Sequence, residues 1–104
     1  MADLASLVDE RALSRLKWSC RRGLLENDLI LERFFKRFES SLTVKQAQGL
    51  SALMELTDYD LLDLNLGRKT PAQVDANLVR DDVAEVLSML RESRVETTPL
   101  KGQQ

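Results

Sequence analysis

The periodicity of the apolar residues constrains this chain more than any other feature. They recur three and four positions apart along most of its length, and no strict alternation bounded by turn residues competes. That spacing lines apolar side chains along one face of a helix, so the expected fold class is all-α. At 104 residues the chain suffices for one hydrophobic core and is too short for two. We expect a small five-helix bundle, a single domain over residues 1–95, with a flexible C-terminal tail over residues 96–104 where the composition turns polar.

The first helix is expected from about residue 4 or 9 to residue 21, with Leu4, Leu7, Val8, Ala12 and Leu16 as its stripe and Gly23 as its stop. The second covers about residues 25–39. There Leu31, Phe34, Phe35 and Phe38 fall at i, i+3, i+4 and i+7 and include every Phe of the chain, which marks the centre of the core. Thr43 and Gln46 have capping-box spacing, so a third helix starts there and carries Ala47, Leu50, Leu53 and Met54 inward. Gly49 inside it costs about 1 kcal/mol against Ala, and a close helix crossing is one reason for its presence. Asp58 is the expected cap of a short fourth helix through Leu61, Leu62 and Leu64, ended by Gly67. Thr70-Pro71 with Gln73 fits the start of a further turn. Asp75 then opens the fifth helix, with Val79, Val83, Val86, Leu87 and Leu90 on one face.

The chain has no His, which removes Ser-His and Cys-His nucleophile systems and the common zinc sites. Its Gly residues, at 23, 49, 67 and 102, are too far apart for a dinucleotide fingerprint or a phosphate loop. The expectation is a protein that is no enzyme and holds neither metal nor cofactor of its own. A lone Cys20 forms no internal disulfide, in keeping with a reducing compartment. Apolar runs reach only three residues, far from the roughly 20 that cross a bilayer, so no membrane insertion is expected. The first ten residues carry Asp3, Asp9 and Glu10 and no base, the wrong charge for an export or transit signal, which points to the cytoplasm.

Net charge is only −2, yet the signs are segregated. Arg11, Arg15, Lys17, Arg21 and Arg22 follow one another without an acid, and Glu55, Asp58, Asp60 and Asp63 without a base. Solvated helix faces are the plain reading, and a partner-binding face is the sharper one. A helical nucleic-acid-binding or regulatory protein using the basic Arg11 to Arg22 segment is the alternative, against which a pI near 5.2 argues.

The junction between the first two helices, Trp18-Ser19-Cys20-Arg21-Arg22-Gly23-Leu24-Leu25-Glu26, gathers features suited to docking. Gly23 lets a partner approach the backbone, the guanidiniums of Arg21 and Arg22 engage carboxylates or carbonyls, and Glu26 sits where the helix dipole favours an anion. The residues taken alone are equally served by local roles: Gly23 as a helix cap, Glu26 as a first-turn acid, and Arg22 and Glu26 as a surface ion pair.

Arg22-Gly23-Leu24-Leu25-Glu26 resembles the RGxxE motif of the SdhE family, the bacterial succinate dehydrogenase assembly factors that promote flavinylation. The resemblance extends from Trp18 through Leu31 to Phe34-Phe35. A second block, Leu53-Met54-Glu55-Leu56-Thr57-Asp58-Tyr59-Asp60-Leu61-Leu62, is similar to the family's D-x-D-L segment. Together they cover most of residues 15–67. Leu64 departs from the pattern, standing where many members carry Trp, and the segment before about Glu10 is longer than in many relatives.

The resemblance implies a chaperone that promotes covalent attachment of FAD to the flavoprotein subunit of succinate dehydrogenase, or in some bacteria of fumarate reductase. It implies action on the client's FAD, while the chain itself is expected to hold none stably, to be a monomer or weak dimer and to contact no nucleic acid. The attached flavin sits on a client His, an acceptor this chain lacks. The partner-binding residues implied are Arg21, Arg22, Gly23 and Glu26. Asp60 is a candidate for the same face, with a helix-start role equally open. Glu26 as proton acceptor is a minor variant of this reading.

Overall fold

Side-chain caps decide where most of the helices begin. The computed structural model of the protein describes residues 5–21 and 23–94. Asp9 Oδ1 accepts a 2.7 Å hydrogen bond from the Ala12 amide, so α1 spans Glu10–Ser19 and starts at the later of the two expected positions. Leu7 and Val8 are therefore not helical. The Val8 amide donates to the Leu42 carbonyl and the Val44 amide to that of Ser6, both at 2.8 Å, placing Leu7 opposite Thr43 in an isolated antiparallel bridge. The chain ahead of the third helix thus satisfies backbone groups that a longer first helix would have satisfied internally. Leu4 lies outside the described residues, as does the whole C-terminal tail.

Helix α2 spans Leu25–Phe38 and passes through a 3-10 turn, Glu39–Ser41, toward α3, Val44–Leu53. Thr43 and Gln46 close the expected capping box. Helix α4 covers Asp58–Asn65, but its cap is Thr57, whose hydroxyl accepts from the Asp60 amide at 3.2 Å, so Asp58 is its first helical residue instead. Gly67 ends it with φ +76°, the left-handed conformation expected of it.

Thr70 and Gln73 form a second capping box over a one-turn helix, α5, Pro71–Val74, so the described residues hold six α-helices where five were expected. The last helix starts later than expected. Asp75 accepts from the Asn77 amide and caps a separate 3-10 turn, Ala76–Leu78, after which Val79 leaves helical geometry at φ −81°, ψ 80°. Leu78 takes the core position and Val79 is 65% exposed, while α6 runs Asp81–Arg94.

Helix α6 crosses the bundle, packing mainly on α3 and α2 and also on α4. Its Val83, Val86 and Leu90 meet Phe34, Leu50, Leu53, Leu61 and Leu64 in one core cluster. Phe34 is fully buried and Phe35 nearly so, with rings edge to face at 5.2 Å, whereas Phe38 is only partly buried. Leu64 is buried and fills its corner, and its carbonyl accepts a 2.9 Å hydrogen bond from Arg91 Nε. Among the described residues no helix is long and apolar enough to cross a membrane.

Gly49 marks the closest approach of α3 to α6. A Cβ there would run into the carbonyl group of Asp82 and lie 3.1 Å from the Val83 nitrogen, both backbone atoms that no rotamer change can remove. Gly49→Ala should therefore lower stability by about 1 to 3 kcal/mol, because the overpacking outweighs the ~1 kcal/mol gain in helix propensity. Chemical denaturation of the two proteins checks the sign, and a more stable variant would contradict the crossing.

At the same crossing the Arg80 guanidinium grips the Asp82 carboxylate, Nε to Oδ1 at 2.9 Å and Nη2 to Oδ2 at 2.5 Å. That hydrogen bond, reinforced by the Val83 amide and opposed by desolvation, holds the Asp82 carboxyl below its ordinary range. Glu85 is lowered likewise, first by its hydrogen bond from Gln46 and then by Lys45. Carboxyls depressed by folding stabilise the native state above their unfolded value, near 4, and lose that contribution as pH falls through the folded value. Asp82→Asn should melt below the parent at pH 7, and the gap should close as pH drops below about 4. A gap that does not change with pH would contradict the ion pair.

Candidate functional site

The turn between α1 and α2 is built almost wholly from backbone conformation. Helix α1 closes as the Cys20 amide bonds the Leu16 carbonyl at 3.1 Å, and the Arg21 amide bonds that of Trp18 at 3.2 Å. Gly23 follows at φ +109°, a left-handed conformation that side chains disfavour, and its amide donates to Asp28 Oδ2 at 3.2 Å. Leu24 is extended and supplies α2 with no side-chain cap, in contrast to the residues that cap α1, α3, α4 and α5. Open space surrounds the position a Gly23 Cβ would take.

Arg21, Gly23 and Glu26 are all exposed on this turn. The Arg21 guanidinium lies 5.1 Å from the ring centre of Trp18, itself 72% exposed, in a cation–π contact. Glu26 occupies the first turn of α2, and no hydrogen bond or ion pair joins its side chain to another described residue. Arg22 lies outside the described residues. Asp60 is half-buried on α4, where it pairs with Lys69 at 3.9 Å, and no hydrogen bond or ion pair connects it with the turn among the described residues.

The segregated charges of the sequence are partly recombined by the fold. Lys17 meets Glu39 at 2.9 Å, and Asp63 meets Arg68 at 3.4 Å and Lys69 at 3.5 Å. Both the basic α1 and the acidic α4 are thus offset by residues that follow them. Such exposed pairs contribute little to stability.

Two features escaped the sequence reading. Leu25 and Leu29, 67% and 40% exposed, join Trp18 in an apolar patch along a groove between the end of α1 and α2. Asn27, next to Glu26, is fully buried: its Nδ2 donates to the Asp58 carbonyl at 2.8 Å, and its Oδ1 accepts from Asn65 Nδ2 at 3.4 Å. The signal was present, since Asn27 lies four residues before Leu31 and seven before Phe34, on the stripe that faces the core.

The turn therefore offers a cation, a stretch of accessible backbone and an anion beside exposed apolar side chains. Among the described residues no group of three His, Cys, Asp or Glu is placed to hold a metal. Charges set beside exposed apolar side chains are a combination found at protein-binding surfaces, the charges favouring specificity and the apolar groups affinity.

A protein-family model described as "Flavinator of succinate dehydrogenase" matches residues 14–92. Curated relatives named FAD assembly factor SdhE include one from Ralstonia nicotianae, 48% identical over 80% of this chain and 84% of the relative. Another, from Vibrio cholerae, is 37% identical over 75% of this chain and 92% of the relative, and one from Coxiella burnetii is 40% identical over 58% and 73%. No solved structure matches the chain.

Proposed function

The chain belongs to the flavinator of succinate dehydrogenase family, and from that membership we propose that it is an assembly factor promoting covalent attachment of FAD to the flavoprotein subunit of succinate dehydrogenase. The related subunit of fumarate reductase is a second client on this reading. The observation that carries the docking role is the Gly23 to Glu26 turn, exposed, left-handed at Gly23 and open where a side chain would stand.

With no His of its own, the chain leaves the acceptor to the client, so its contribution is conformational. Attachment requires the client's acceptor His at near-attack distance from the flavin, and correct positioning alone supplies several kcal/mol. A factor that binds the competent arrangement more tightly than the open one shifts the client toward it. Gly23 admits the client backbone, Arg21 and Arg22 engage client carbonyls or carboxylates, and Glu26 pairs with a client cation or donor. Asp60 contributes from α4 at the margin of the same contact. A single helical domain acting as a monomer or weak dimer suffices, and the contact is transient.

A complex resting on Arg21, Arg22 and Glu26 weakens as salt shortens the Debye length from about 10 Å at 0.1 M to about 3 Å at 1 M. Titration of the purified chain into apo-flavoprotein subunit, at low and high salt, tests the reading. The expected result is a measurable complex that loses affinity at high salt. Absence of any complex at low salt, or affinity indifferent to salt, would contradict it.

A further inference from the structure

The helix that carries the candidate docking turn is the one helix of eight or more residues with a described N-cap that lacks a side-chain cap. Beside the bond from the Gly23 amide to Asp28 Oδ2, the buried amides are placed to fix its first turn. Asn27 is the third residue of α2, fully buried, and its Nδ2 donates to the carbonyl of Asp58, the first residue of α4. Asn65, the last residue of α4 and also fully buried, donates from Nδ2 to Asn27 Oδ1. No described residue donates to Asn65 Oδ1. One Asn side chain thus ties the start of α2 to both ends of α4.

We propose that Asn27 and Asn65 are positioning residues: the buried amide pair holds the Gly23 to Glu26 turn in fixed register against α4, so that Glu26 and the start of α4 are presented as one rigid surface. The proposal rests on the docking role given above to that turn. Apolar packing does not fix register in this way, because Leu side chains tolerate small slides that a hydrogen bond between an amide and a carbonyl does not. Two amides inside a hydrophobic core, one of them incompletely paired, also do little for stability. Replacing Asn27 and Asn65 together removes both partners of their mutual hydrogen bond, a change that is commonly neutral or stabilising, and the Asp58 carbonyl that loses the Asn27 donor is only part-buried. Their value is therefore expected in geometry.

The test compares the parent with Asn27→Leu/Asn65→Leu, with Asn65→Leu alone, and with Glu26→Ala as the marker of the docking reading. On each isolated protein, hydrogen exchange is measured at the Asp28 and Leu29 amides and at amides of α3 and α6, together with the melting temperature. With apo-flavoprotein subunit and FAD, covalent flavin is followed as a function of factor concentration.

The double variant is expected to melt within a few degrees of the parent, to exchange about tenfold faster at Asp28 and Leu29 with α3 and α6 unchanged, and to need about tenfold more protein for half-maximal flavin attachment. Its maximal rate should approach the parent's, because Glu26 is intact. Asn65→Leu keeps the Asn27 bond to Asp58 and should show a smaller shift of the same kind. Exchange at the turn equal to the parent's, or an unshifted concentration dependence, would overturn the proposal. If the double variant does not fold, parental exchange and flavin attachment in Asn65→Leu overturn it. An intact effect of Glu26→Ala beside a silent double variant refutes the positioning role alone. Glu26→Ala without effect refutes the docking reading, and the exchange data then still decide the structural part.

Discussion

Phe34→Ala should lower the stability of the protein by about 3 to 5 kcal/mol, the range for truncating a fully buried Phe whose cavity cannot collapse. Phe34 sits where α2 meets α6, its ring 5.2 Å from that of Phe35 and 5.5 Å from that of Phe38. Rigid helices on both sides limit relaxation, so most of the lost volume persists as a void. Domains of this size lose about 4 to 8 °C of Tm per kcal/mol, which places the variant's midpoint on the order of 20 °C below the parent's. Thermal unfolding followed by circular dichroism reads this directly. A parental midpoint would mean that α2 does not carry the centre of the core.

Much of that core was legible because helical periodicity and capping chemistry are local. The stripe of Leu31, Phe34 and Phe35 predicted burial, Thr43 with Gln46 predicted the start of α3, and Gly49 announced the crossing that Asp82 and Val83 then occupy. The failures were choices between two local solutions that only tertiary contacts decide. Leu7 and Val8 extend a helical pattern, yet the backbone of Leu42 to Val44 offers them hydrogen bonds. Val79 fits the stripe of α6, yet Asp75 closes its own turn and Leu78 takes the core position.

The candidate site divides along the same line. Arg21, Gly23 and Glu26 are close in sequence, so their proximity on one turn followed from the motif itself. The link from Asn27 to Asp58 spans 31 residues and that to Asn65 spans 38, and no spacing rule reaches that far. Asp60 shared its block with Asp58 in the sequence, and in the fold it pairs with Lys69 at 3.9 Å.

Glu26→Ala should separate docking from folding. The side chain is exposed and tied to no described residue, so the variant's stability should stay within about 0.5 kcal/mol of the parent's. At the interface, removing one member of a hydrogen-bonded charge pair commonly costs about 2 kcal/mol or more, so affinity for the client should fall more than tenfold. Gly23→Arg should be more damaging, because it places a side chain both in the left-handed conformation at φ +109° and in the open space where the client is proposed to dock. Melting curves and client titrations run on the same preparations distinguish the two variants. Glu26→Ala should lose binding alone, and Gly23→Arg should lose binding and some stability.

On the proposal made here, a chain without an acceptor His accelerates attachment of flavin to another protein. The most direct test is the initial rate of covalent FAD incorporation into purified apo-flavoprotein subunit, read as flavin fluorescence that survives denaturation, with and without the factor. The account predicts that the parent raises this rate, that Glu26→Ala raises it more than tenfold less efficiently at limiting factor, and that all covalent flavin resides on the client. A rate unchanged by the parent protein, or flavin covalently held by the factor itself, would contradict it.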